Sequence, residues 1–265
     1  MSPRSSIAPA NTALIVAHPD HELRMYRWFQ LHRPTTYILT DGSGRTGSSR
    51  LHATTRLVNR VGARVGNIYG RHTDRDVYQS VLELRYEWFH QLIDDLTSAL
   101  VRQEVKFVLG DAAEGEFMSH DIWQAARLVA VQRAEHILGW PIVQYEFPVD
   151  SHPLNCPKSV DDEKIHLQLD AERFSEKVEV AYEYVEVRQF VDEMLAAFGK
   201  ESFQTESLFP SCQESLMDFG EGRQPKYELL GEQLAAEGVY PDVIRYEDHV
   251  RPLIESFRAI AKNAA

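Results

Sequence analysis

Five short β-rich runs, separated by helix-like segments, constrain this chain more than any other feature. They lie at residues 12–17, 35–40, 66–70, 106–110 and 141–147. The first, TALIVA, is apolar without alternation, the mark of a strand buried on both faces in a parallel sheet. The intervening segments predict helices over 20–31, 49–64, 76–103 and 120–138. In the third of these, Val77, Val81, Leu84, Trp88, Leu92, Leu96 and Leu100 recur near the 3.6-residue helical period and read as one long amphipathic helix. Strand-helix alternation of this kind builds a mostly parallel sheet with helices on both faces. Ligands of such sheets bind outside the carboxyl ends of the strands.

The pattern changes near residue 150. A Pro-, Ser- and Asp-rich loop follows, then a strand over 164–169 and a long helical stretch over 170–200. Residues 203–225 read as irregular, and two shorter helices are expected over 226–237 and 248–262. The fold class is therefore α/β, a Rossmann-like mostly parallel sheet with a C-terminal, mainly helical extension. We expect residues 1–150 to form one Rossmann-like domain and residues 151–265 an extension packed on it.

The chain carries 40 acidic against 28 basic residues, a net charge of -12. Such a surface repels nucleic acid and anionic membranes, so neither is an expected partner, and a homo-oligomer stays open. No stretch approaches the roughly 20 apolar residues of a membrane span. The first residues lack a signal peptide's apolar core. Cys156 and Cys212 lie far apart and read as thiols of a reducing compartment, with a single disulfide as the alternative. The expected location is cytoplasmic.

Directly after the first strand comes Ala17-His18-Pro19-Asp20-His21-Glu22. His18 and His21 are three apart across a turn, so their imidazoles can converge on one ion. Pro19 suits the turn into a helix. Asp20 can reach a metal-bound water without being a ligand. Helix capping would account for any one of these residues. The whole cluster at a strand end points instead to a metal.

The segment resembles the AHPDDE signature of the PIG-L/LmbE-like de-N-acetylases, zinc-dependent enzymes that remove acyl groups from amino sugars and related amines. The resemblance implies a zinc (Zn2+) cofactor, with another divalent transition metal possible. It makes His18 a ligand and Asp20 the general base, and places His21 where the family has a second, carboxylate ligand. It also assigns His120, at a helix start after the fourth strand, as the third ligand. Leu39-Thr40-Asp41-Gly42 is similar to the family's TDG turn, and Asp74 lies where the family often has an Asp near the substrate. Arg50 matches the Arg of an R-x-x-E pattern whose Glu is replaced by Ala53. Lys177, Ala181 and Tyr182 are similar to a C-terminal helix pattern. The implied activity is hydrolysis of an N-acyl amino sugar or related amine, with acetyl as the family's group.

The departures are specific. Three imidazoles would leave the metal's charge uncompensated, as at a three-histidine zinc site. Family members often place a Tyr and a His before the third ligand to polarise the carbonyl. Gly115 and Phe117 stand there instead. His249, ahead of His152, is the replacement candidate, with capping of its own helix as the alternative. The loop from Asp41 to Arg50 has glycines that permit close approach to a ligand. Its Arg45 and Arg50 can clamp an anionic group. Three other functions stay open: a binding module that has lost the metal site, an enzyme acting on a different amide in secondary metabolism, and a nucleotide-dependent enzyme using the Ser/Gly loop.

Overall fold

A computed structural model describes residues 11–44, 47–157, 163–211 and 224–263. Its first strand, β1 (Thr12–Val16), is buried along its whole length. Successive side chains of a strand point to opposite faces. Ala13 and Ile15 accordingly enter one core and Leu14 and Val16 the other.

β1 sits between β2 (Thr35–Thr40) and β4 (Phe107–Asp111), parallel to both. β3 (Arg64–His72) extends the sheet beyond β2, and β5 (Val143–Phe147) beyond β4, again in parallel. Two strands from the C-terminal region, β6 (Ile165–Gln168) and β7 (Thr205–Pro210), complete the order β3-β2-β1-β4-β5-β7-β6. β7 runs antiparallel to both of its neighbours. One face is covered by α3 (Asp74–Leu82), α4 (Tyr86–Arg102), α5 (Met118–Leu138) and α9 (Arg251–Asn263). The other carries α1 (Tyr26–His32), α2 (Leu51–Val61) and α6 (Ala171–Glu183). The chain also forms α7 (Arg188–Phe198) and α8 (Lys226–Ala236). This is the expected α/β sheet with helices on both faces and a helical C-terminal region. No helix of the described residues is long and apolar enough to cross a membrane.

Three local expectations are corrected. The helix expected over 76–103 is two helices, α3 and α4, broken where Leu84 takes φ 49°. Both halves bury their stripe in the same core, so the apolar period runs through the break without a Gly or Pro to mark it. The stretch over 170–200 likewise divides into α6, a 3-10 turn at Val185–Val187, and α7. The segment read as irregular contains β7. Its second residue, Glu206, is buried and charged, which hid the strand. Glu206 pairs with Lys177 Nζ at 2.9 Å and accepts the backbone N–H groups of Arg27 and Trp28. Residues 212–223, which include Cys212, lie outside the described residues.

Candidate functional site

β1 and β4 are neighbours, yet the chain leaves them in opposite directions, to β2 and β3 on one side and to β5 on the other. The carboxyl end of such a switch point opens a crevice. His18, Asp20 and His21 follow β1 into it. Asp111 ends β4, and His120 lies in the first turn of α5. Thr40 ends β2, Asp74 begins α3 just after β3, and Asp150 comes three residues after β5. Every parallel strand thus delivers a polar group to one place.

The structure brings His18, His21 and His120 together. Their ring centroids are 5.3 Å apart for His18 and His21, 5.0 Å for His18 and His120, and 4.7 Å for His21 and His120. Their side chains are 13%, 6% and 4% exposed. Each ring commits Nδ1 to a carboxylate. His18 Nδ1 lies 2.9 Å from Asp74 Oδ1, His21 Nδ1 2.9 Å from Asp111 Oδ2, and His120 Nδ1 3.0 Å from Asp150 Oδ2. Asp74 also accepts the Thr40 hydroxyl, and Asp111 the Ala17 N–H. Of these contacts only His21–Asp111 has hydrogen-bond geometry; His18 Nδ1 also lies 2.7 Å from the Thr40 hydroxyl, and His120 meets Asp150 as an ion pair. A carboxylate beside Nδ1 raises the ring's basicity, the usual support of a metal-ligating histidine. It leaves Nε2 on each ring as the donor for a shared ion.

The donor set fits a divalent transition metal, since imidazole suits zinc, copper, iron and nickel. As placed, no three donors among the described residues close into a metal-holding group. Two features bear on metal binding. His18 Nε2 lies 2.9 Å from the Ser119 hydroxyl, which occupies its lone pair. His120 holds a proton: burial alone would lower its pKa, but Asp150, Asp111 and Asp121 outweigh burial and raise it to about 9. Binding therefore requires that the Ser119 hydroxyl turn away and that His120 lose its proton.

That proton has a measurable consequence. An unfolded His titrates near 6.5. With its folded pKa raised, His120 contributes stability that is complete below about 6.5 and is lost as pH rises through about 9. Asp20 and Asp121, both pushed up to about 7 mainly by burial, act in the same direction. His18 and His21 are lowered by burial, so their opposing contribution is finished once pH exceeds the unfolded value. The Tm of chelator-treated protein should fall between pH 7 and 9, and zinc should flatten that slope. A flat Tm in chelator over this range would count against a protonated His120.

Asp20 stands directly before the 3-10 turn His21–Met25 with φ 81°, a left-handed conformation that Asp tolerates better than most residues. Its N–H donates to Thr54 Oγ1 at 3.2 Å, and its Oδ2 lies 3.0 Å from Arg50 Nε. Burial pushes the carboxyl up to about 7, with Arg50 opposing and Glu22 adding. A group poised there can take and return a proton near neutral pH. Gly42 makes the Arg50 approach possible. At φ 67°, a Cβ on it would fall 2.7 Å from Arg50 Nε and 2.9 Å from Pro19 Cδ.

Arg50 pairs with Asp20, and Asp74 backs His18, so both act on the site's own side chains. Asp41 Oδ1 accepts the Ser43 N–H at 2.9 Å and folds its own loop. Arg45 lies outside the described residues. His249 Nδ1 accepts the Arg245 N–H at 2.9 Å, a bond within its own turn. Phe117, 43% exposed, has its ring 5.2 Å from that of His120. The sequence reading missed Asp111, Asp150, Ser119 and the pair formed by buried Glu22 and the Tyr184 hydroxyl at 2.5 Å. Asp111 and Asp150 both follow strands at their carboxyl ends, which was the one signal available.

No family model and no curated protein matches the chain. Solved structures do. A crystal structure of the A40926 pseudoaglycone deacetylase is 15% identical, with 76% of this chain and 97% of that one covered at a TM-score of 0.51. A deacetylase of the teicoplanin biosynthesis pathway is 13% identical, with 75% and 97% covered at 0.50. This chain has their fold. At these identities the likeness is one of architecture.

Proposed function

We propose that the protein is a metal-dependent hydrolase that removes the acyl group of an N-acylated amino sugar or related small amine. The observation that carries this reading is the triangle of carboxylate-backed histidines beside a buried Asp20 that titrates near 7. Both structures sharing the fold are deacetylases, and the resemblance of the His18–Glu22 segment points the same way. Zinc, or another divalent transition metal, held by Nε2 of His18, His21 and His120 would supply a Lewis acid for the amide carbonyl and lower the pKa of water.

The chain's own residues do the rest. Asp20 accepts the proton of the attacking water and delivers it to the leaving nitrogen, as base and then acid. Arg50 holds the Asp20 carboxyl in position and favours its charged form. Asp74, Asp111 and Asp150 fix the three rings.

The test is elemental analysis with an amide-hydrolysis assay on N-acylglucosamines. We expect about one divalent metal per chain, activity abolished by chelation and restored by zinc, and loss of both metal and activity in His21→Ala. Hydrolysis that survives both chelation and His21→Ala refutes the metal assignment.

A further inference from the structure

Beside Asp20 and His21 the fold leaves a cavity of about 80 Å3 that opens to solvent. Leu23 lines it behind the catalytic turn. Phe174, Val178 and Ala181 of α6 and Val191 and Leu195 of α7 line it farther out. Two cations reach the wall, and both are engaged. Arg24 donates to the carbonyls of Val149 and Ser151. Lys177 Nζ donates to the Arg24 carbonyl at 2.8 Å and to Glu206 at 2.9 Å. Both cations thus already donate to the protein, although Arg24 Nε has no hydrogen-bond partner, and the rest of the wall named here is apolar. α7 has no fully buried residue, although Val191, Met194 and Leu195 turn towards this space. A helix with an apolar face set against open volume lacks the contacts that a filling group would supply.

The cavity is continuous with Asp20 and with one of the three histidines. A reacting carbonyl held there has two substituents, the amine with its sugar and the acyl chain. A sugar's hydroxyls would be buried without partners on this wall, at a cost that an alkyl chain does not incur. We propose that the cavity is an acyl-chain subsite, and that the group removed is a linear saturated acyl longer than acetyl. The inference rests on the hydrolase reading above. The reaction is amide hydrolysis: the C–N bond breaks, the water oxygen forms the new C–O bond, and a proton passes to the amine nitrogen. The products are a fatty acid and a free amine.

The experiment compares kcat/KM for N-acetyl-, N-octanoyl- and N-decanoylglucosamine on the zinc-loaded full chain. It also measures the Tm shift produced by sodium decanoate and by sodium acetate. We expect decanoyl to exceed acetyl at least 100-fold, and decanoate alone to stabilise. Val178→Trp on α6 and Leu195→Trp on α7, which fill the space from different helices, should each lower the decanoyl-to-acetyl ratio at least tenfold and remove the decanoate shift. Equal rates on all three amides with no decanoate shift would overturn the subsite while leaving the hydrolase reading intact. A decanoate shift abolished by both variants, with no amide hydrolysed, would support the subsite and refute the hydrolase.

Discussion

Asp20→Asn is expected to lower kcat/KM on the preferred amide by about 100- to 10,000-fold while the protein keeps its metal. The substitution is close to a pure test of proton transfer. Asn is, with Asp, one of the few residues that visit the left-handed region readily, so φ 81° is retained without new strain. The side-chain volume is unchanged, and an amide oxygen can still face Arg50, whose Nε now lies 3.0 Å away. What Asn cannot do is accept a proton near neutral pH. The Asp20 carboxyl, pushed up to about 7 by burial, can do so and can also return it. Metal content, Tm and kcat/KM measured on one preparation separate the roles. Retained metal with lost turnover identifies the base. Loss of metal would mean that Asp20 supports the ligand set, and turnover within tenfold of the parent would remove it from the chemistry.

The fold was legible where local physics and tertiary structure agree. Residues 12–17 are apolar because β1 is buried on both faces, and no competing signal obscured it. The His18–Glu22 cluster was legible because its residues are adjacent in sequence. The supporting carboxylates were not, since spacing carries no information about partners so far apart. His21 meets Asp111 across 90 positions, and His120 meets Asp150 across 30. A single acidic residue after a strand is also what any loop presents. Arg50 and Asp74 were picked out for a ligand outside the protein. Their charge was visible, but its direction depends on the loop geometry that Gly42 permits. Glu206 shows the converse failure: a buried ion pair placed a charge inside a strand and concealed it.

The second large effect concerns position 21. Asp111→Asn is expected to lower zinc affinity by about 10- to 100-fold, the usual result of removing the group behind a ligating histidine. Asp111 Oδ2 holds His21 Nδ1 at 2.9 Å and also accepts the Ala17 N–H at 2.7 Å, so it ties the ligand to the end of β1. The same geometry explains why a histidine can stand where the resembling family carries a carboxylate. His21→Asp would restore that carboxylate, yet it would set a second acid against Asp111 in a buried place. Asp111 is already pushed up to about 6 by burial, and another carboxylate would raise the cost of ionising either one. We therefore expect His21→Asp to bind zinc more weakly than the parent, and His21→Asp with Asp111→Asn to recover part of the loss. Competition titration with a chromophoric chelator measures all four proteins. Additive losses in the double variant would show that positions 21 and 111 act independently. Recovery would show that the imidazole and the carboxylate behind it form one unit, with the negative charge displaced from the first ligand shell to the residue supporting it.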